Sequence, residues 1–294
     1  MNRGMSDKTF DILNKIFITI LIIIIVYPLI FVVSASISDQ LAVASGRMWL
    51  WPVDITFEGY KRIFSNSSIW MGYRNTILYT IVGTLIHLFV LLPCAYALSR
   101  GEIMGRTFIL WFILFTMLFN GGLIPTYLVI RSLGMLDTMW AIVIPNVVGA
   151  WSIFVARSFF QQNIPDQMIE AAKIDGASEF YTFIRIVLPL SLPIIAVMAL
   201  FHAVGLWNQY FNALIYLSDR SKFPLQLILR EILVVNQLDL GAGSDDPESI
   251  VQQVRTAGLI KYAVIIVSSL PLLIAYPFLQ RFFVQGILIG SIKE

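Results

Sequence analysis

The feature that most constrains this chain is a set of six long apolar runs, at about residues 16–36, 76–98, 107–130, 138–156, 186–206 and 257–279. An α-helix needs roughly 20 apolar residues to cross ~30 Å of hydrocarbon, and each run approaches or exceeds that length. Lipid offers no partner for a backbone N–H or C=O, so a spanning segment closes its hydrogen bonds internally, as a helix or around a barrel. The runs are about twice as long as a barrel strand. They predict an all-α membrane protein with six transmembrane helices. Composition agrees, with 58% of the 294 residues hydrophobic and 13% charged, about half the charge of a typical soluble chain.

The first run has a second reading. Residues 1–15 are charged and 16–33 apolar, the layout of a signal peptide, with Val33-Ser34-Ala35 as the cleavage site. The apolar stretch exceeds the usual core of roughly 7–15 residues, which favours an uncleaved helix. Net charge is +2, from 20 basic and 18 acidic residues, and implies neither nucleic acid nor an acidic partner. Cys94, the one cysteine, cannot form an internal disulfide and reads as a small core hydrophobe.

No Asp or Glu falls inside any run. Ion-coupled carriers commonly place carboxylates at membrane depth, so their absence argues against that class, although sodium sites can also use backbone carbonyls. His87 and His202 read as helix–helix hydrogen-bonding groups. Pro28, Pro93, Pro125, Pro145, Pro189, Pro193, Pro271 and Pro277 each remove a donor and can kink a helix. With the N-terminus inside, ten Lys and Arg fall on each side of the membrane. Long loops carry little topological weight, so Arg100 and Arg106 in the short second connection favour an N-in, C-in arrangement.

Two outside connections are long, at about 37–75 and 207–256. Within the second, 223–233 (FPLQLILREIL) predicts a short helix on the membrane surface or against the bundle. An acidic loop follows at 239–249, and Pro247 reads as the first residue of a helix capped by Asp246. The inside connection 157–185 is much longer than a turn requires. Its segment 165–174 predicts a short helix that begins with proline and ends at Gly176. Ala171 and Ala172 beside Glu170 let another surface approach the backbone, and Ser178 is placed to cap a further helix. The segment is either a mechanical handle or an ordinary amphipathic surface helix.

Glu170-Ala171-Ala172, three residues, Gly176, nine residues, then Ile186-x-Leu188-Pro189 match the EAA motif (EAA-x3-G-x9-I-x-L-P). The chain is thereby identified as resembling the membrane subunits of binding-protein-dependent ABC importers. Arg74-Asn75-Thr76, Trp207-Asn208-Gln209-Tyr210 and the tail Gln285-Gly286-Ile287-Leu288-Ile289-Gly290 are similar to the carbohydrate branch, in particular its shorter maltose-type permease subunit. The 223–233 segment resembles the complex-oligosaccharide subgroup, of the alginate and pectin type.

The resemblance implies a type I ABC importer permease fold in the bacterial cytoplasmic (inner) membrane. Its parts would be an N-terminal tail (1–15), a first helix (16–36), an extracytoplasmic loop (37–72), a permease core (73–284) and a C-terminal tail (285–294). The tail from 287 either extends into an ATPase interface or is merely cytoplasmic. Implied partners are a second permease subunit in a heterodimer, two cytoplasmic ATPase subunits and an extracytoplasmic solute-binding protein. The chain has no G-x-x-x-x-G-K-[ST] loop, so ATP and Mg would be bound by the partners, leaving this chain with no cofactor, metal or catalytic residue. Glu170, Ala171, Ala172, Gly176, Ile186, Leu188 and Pro189 would couple it to the ATPase. By the chemistry of amides and aromatic rings, Asn120, Asn146, Trp151, Asn208, Gln209, Tyr210 and Asn212 are candidates for a sugar pathway, or are polar bridges between helices. Trp49, Trp51, Trp70 and Trp140 suit the membrane boundary. The alternatives are a permease of the same fold for a non-sugar solute, and an ion-coupled secondary carrier.

Overall fold

A computed structural model of the chain describes residues 5–241, 258–274 and 276–277. In chain order the helices are α1 (Met5–Ser36), α2 (Gln40–Ala44), α3 (Glu58–Ser65), α4 (Ser67–Ser99) and α5 (Arg106–Leu118). Next come α6 (Leu123–Ser132), α7 (Trp140–Val143), α8 (Ala150–Asn163), α9 (Asp166–Ile174) and α10 (Glu179–Thr182). A π-helical stretch, Phe183–Val187, leads into α11 (Leu188–Leu190), α12 (Leu192–Trp207), α13 (Phe211–Tyr216), α14 (Leu225–Gly241) and α15 (Gly258–Ile274). The chain divides into two compact units, one of residues 1–69 and 229–271, the other of 70–228 and 272–294.

In the first unit, every side chain from residue 12 to residue 30 of α1 stands exposed. Beyond Lys15 this exposed sleeve is almost wholly Ile, Leu, Phe and Val, and the Thr19 hydroxyl is turned back to the Lys15 carbonyl; such a surface with no polar face is stable only against lipid. Its C-terminal end is different. Ser34, Ser36 and Ser38 are buried, and their hydroxyls bond the Leu50, Val33 and Ser34 carbonyls, while Tyr60 donates to Ser36 at 2.7 Å. The cleavage site of the signal-peptide reading is thus helical and built into the fold. Two glycines allow close approach to α15. A Cβ on Gly59 would lie 2.7 Å from the Leu259 carbonyl oxygen, and one on Gly258 would meet the Gln40 side chain. Lys261, the one Lys or Arg within the six runs, sits in the first turn of α15, where its stem lets the amine reach the boundary.

The second unit has its core where Leu91, Leu92 and Ala95 of α4 meet Ile153, Ala156 and Phe160 of α8, with Val187 and with Met198 of α12. α4 passes through Pro93 as one helix of 33 residues, as the second run predicts. Three other runs break. The 107–130 run becomes α5 and α6, meeting at 114°. Gly122 has φ 84° and ψ −178°, a region essentially reserved for glycine, and Asn120 Oδ1 accepts the Gly122 N–H at 2.8 Å to hold the turn. The 138–156 run yields only α7 and then α8, which continues to Asn163. Pro145 and Gly149 occupy the gap, and the Val147 carbonyl exposed there finds the His87 Nδ1, as irregular backbone at membrane depth requires. The 186–206 run bends by 79° at Ser191. Pro189 cannot donate to the Arg185 carbonyl and Pro193 cannot donate to that of Pro189, so helical pairing fails on both sides of the bend.

Among the described residues, Phe10–Ser36 and Ser67–Ser99 are long and apolar enough to cross a membrane alone, and the spans number up to four if each bent pair counts once. The expected 223–233 helix starts at Leu225 and runs on to Gly241, taking in the first residues of the expected acidic loop. Asp246, Pro247 and the C-terminal tail lie outside the described residues.

Polar contacts pin the connection between α13 and α14. Asp137, at φ 57°, accepts the Ser218 and Asp219 N–H groups at 3.0 Å each and meets Lys222 Nζ at 2.8 Å. Asn75 donates to the Ser221 and Phe223 carbonyls, and Thr76 Oγ1 accepts the Leu225 N–H. Lys222 and the two amides hold the Asp137 carboxyl down to about 2.

Candidate functional site

The long 157–185 connection folds into a helix on a short stalk. Pro165 stands just outside α9 as its N-cap, with ψ 140°, so the helix begins one residue later than the proline rule predicts. Asp166, in the first turn, complements the helix dipole and pairs with Arg100 at 2.6 Å. Arg100 also lies 4.9 Å from the Tyr96 ring centroid, joining the end of α4 to the start of α9.

At the other end, the Gly176 N–H bonds the Lys173 carbonyl at 3.0 Å and the Ala177 N–H bonds that of Ala172 at 2.9 Å. With Gly176 at φ 81°, this is a Schellman termination, in which a left-handed residue satisfies the last carbonyls of the helix. Ser178 then caps α10, accepting the Tyr181 N–H at 3.2 Å. Lys173 bridges to Glu179 at 2.9 Å and Glu102 at 3.2 Å, and those bonds raise its ammonium above the usual lysine range.

α9 is two-faced. Ile169 and Ala172 are buried, and Ile169 joins the core of α4, α8 and α12. Glu170, Ala171, Lys173 and Ile174 face outward, Ile174 at 86% exposure and Phe180 nearby at 74%. Apolar side chains that exposed, on a loop helix tied to the core, make a surface suited to a protein partner. An open cleft of about 610 Å³ runs beneath, lined by Ala172, Asp175, Gly176, Ala177, Ser178, Tyr181 and Ile186. Ile186 and Leu188 are half-buried and Pro189 exposed, on the segment that ends at the Ser191 bend. The seven motif residues therefore occupy one continuous stalk: helix, left-handed turn, capped helix, bend.

The seven pathway candidates divide. Asn120, Asn146 and Asn212, from three separate segments, line one cavity of about 270 Å³ together with Gly122, Leu123, Thr126, Pro145 and Tyr216. The other four do not line it. Trp151 packs edge-to-face on Phe201 at 5.5 Å, and Asn208 folds back to the Val204 carbonyl at the end of α12. Gln209 is half-buried and Tyr210 packs beside Phe211. Sequence reading missed Thr126, Pro145 and Tyr216, as well as the Arg100–Asp166 and Asp137–Lys222 pairs. The pairs join residues 66 and 85 positions apart, and no local pattern announces them.

The comparisons with known proteins agree with this geometry. A family model described as "binding-protein-dependent transport system inner membrane component" matches residues 67–289. Protein LplC of Bacillus subtilis is 39% identical over 293 residues, covering 100% of this chain and 98% of the relative. The polygalacturonan/rhamnogalacturonan transport system permease protein YtcP, of the same organism, is 40% identical over 295 residues, covering 98% and 100%. A chain in the crystal structure of a bacterial ABC transporter involved in import of the acidic polysaccharide alginate superposes with a TM-score of 0.84 at 35% identity, covering 96% of this chain and 99% of that one. Matches of this extent leave no part of the core unaccounted for, and the chain belongs to the inner-membrane components of binding-protein-dependent transport systems.

Proposed function

We propose that the chain is the permease subunit of an ATP-driven importer for carbohydrate, an oligosaccharide, and that it forms half of the translocation pathway. The observation that carries the coupling is α9, anchored by Ile169 while Glu170, Ala171 and Ile174 face away from the bundle. A cytoplasmic ATPase docks on that outward face. Glu170 supplies a charge-assisted contact, Ala171 allows close packing, and Gly176 sets the angle of exit. When the ATPases close on ATP, α9 moves with them, and the capped α10, the π-helical stretch and Pro189 carry the displacement to the bend at Ser191. A π-helical stretch beside a proline is a natural place for such a movement. This chain binds no nucleotide; ATP and Mg belong to the ATPase subunits.

The orientation follows from the same reading, with the termini and the 157–185 loop inside and the Asp137–Lys222 clamp outside. Carbohydrate is supported by the named pectin-type relative and by the alginate importer. The partners are a second permease, two ATPase subunits and an extracytoplasmic binding protein.

The test is reconstitution in liposomes with those partners, together with cross-linking from a Glu170→Cys variant in a Cys94→Ala background. Saccharide-stimulated ATP hydrolysis and a cross-link to the ATPase are expected. Saccharide uptake driven by an ion gradient with the ATPase left out would overturn the reading in favour of a secondary carrier.

A further inference from the structure

We infer that the cavity between the α5–α6 bend, the α7–α8 gap and α13 is a saccharide subsite of this chain, reading ring hydroxyls through Asn146 and Asn212; the inference rests on the carbohydrate reading above. The cavity, about 270 Å³, is lined by Asn120, Gly122, Leu123, Thr126, Pro145, Asn146, Asn212 and Tyr216. None of these is a carboxylate or a cation. An amide side chain offers two donors and two acceptor lone pairs, which matches a hydroxyl that both gives and takes a hydrogen bond.

The bonding capacity is unspent. Among the described residues, the side chains of Asn146, which is exposed, and Asn212, which is half-buried, bond no other protein group and stand open to a ligand. Asn120 uses only its oxygen, on the Gly122 N–H. Thr126 has its hydroxyl turned back to the Gly122 carbonyl at 2.8 Å, so it contributes its methyl group. A second cavity, of about 360 Å³, shares Thr126 and Pro145 with the first and is otherwise lined by Pro125, Val129, Ile130, Leu133, Met135 and Ile144.

A polar pocket joined to an apolar one fits a sugar ring, whose rim is hydroxyl and whose faces are C–H. The broken helices explain why the site exists. Unbroken runs at 107–130 and 138–156 would not present Asn120 and Asn146 on irregular backbone facing one cavity. No cation lines the cavity, so what the subsite reads on a uronate oligomer is its ring hydroxyls.

The experiment uses the complete reconstituted transporter and radiolabelled short oligogalacturonides and alginate oligomers. Asn146→Leu with Asn212→Leu keeps the branched side-chain shape and removes both amides. Losing two neutral hydrogen bonds is expected to raise KM by roughly thirtyfold. An unchanged KM overturns the subsite, and so does a fall in maximal rate at unchanged KM, which marks a structural role. Should the double variant fail to assemble, Asn146→Cys in a Cys94→Ala background gives a second readout: the oligomer is expected to protect the thiol from a hydrophilic maleimide, and absence of protection overturns the subsite. If the wild-type complex hydrolyses ATP but imports neither these oligomers nor a panel of neutral oligosaccharides, the carbohydrate reading itself fails, a result distinct from import with an unaffected variant.

Discussion

Gly176→Ala isolates what the left-handed turn after α9 contributes. A Cβ at Gly176 would meet nothing within 4 Å, so added volume costs nothing and the whole penalty is conformational. For an L-residue in the left-handed region it is about 1 kcal/mol, enough to shift a two-state population about fivefold. The molecule contains its own control. Gly134 ends α6 with the same motif: φ is 67°, its N–H bonds the Arg131 carbonyl at 3.0 Å, and the Met135 N–H bonds that of Ile130 at 3.1 Å. A Cβ there would also meet open space. Gly134→Ala and Gly176→Ala are therefore expected to lower the thermal midpoint of the purified complex equally, while only Gly176→Ala lowers saccharide imported per ATP hydrolysed, by roughly fivefold. Gly176→Asn, which tolerates positive φ, restores most of the loss. If the two alanine variants reduce coupling alike, or if asparagine fails to rescue it, the turn does not set the angle at which α9 leaves the stalk.

Glu170→Lys reverses the charge on the outward face of α9 and is expected to reduce coupled import without disturbing assembly, checked by co-purification and uptake. Ser178→Ala removes the cap of α10 and costs about 1 kcal/mol, measured as a lower thermal midpoint that Ser178→Asp largely restores. Asp137 titrates near 2 in the folded chain against an ordinary 3.8. Its stabilising effect is complete above the unfolded value and is lost as pH falls through the folded one, so Asp137→Asn should flatten acid unfolding between about pH 4 and 2. Gly59→Ala forces a Cβ to within 2.7 Å of the Leu259 carbonyl oxygen, where backbone must yield, and is expected to cost about 1–3 kcal/mol in chemical denaturation.

Hydropathy made some of this fold legible and hid the rest for one reason. It measures how willingly a residue leaves water, and the apolar residues on either side of the α5–α6 bend, Leu118, Phe119 and Leu123 among them, outweigh Asn120 and its two glycines. What breaks the third run is backbone geometry: a glycine at φ 84° held by an asparagine two residues earlier. Asn120-Gly121-Gly122 and the Pro145–Gly149 interval were in plain view as turn signals, yet an unbroken apolar count outweighs them when span length is the only criterion. α1 and α4 were legible because nothing in them contradicts the count; even Pro93 in α4 is absorbed without a break.

The 165–178 segment was legible for the opposite reason. α9, its Schellman turn and the Ser178 cap are each determined within a few residues, so spacing along the chain is spacing in the fold. The asparagine cavity draws on residues 120, 146 and 212, and their meeting depends on two helix breaks that hydropathy had smoothed over. Local devices can be read from order alone, whereas a pocket assembled at breaks appears only once the breaks are placed. The same breaks leave neutral amides with unspent hydrogen bonds beside Pro145 and Thr126. With no carboxylate or cation beside them in the cavity lining, those amides are suited to hydroxyls rather than to ions.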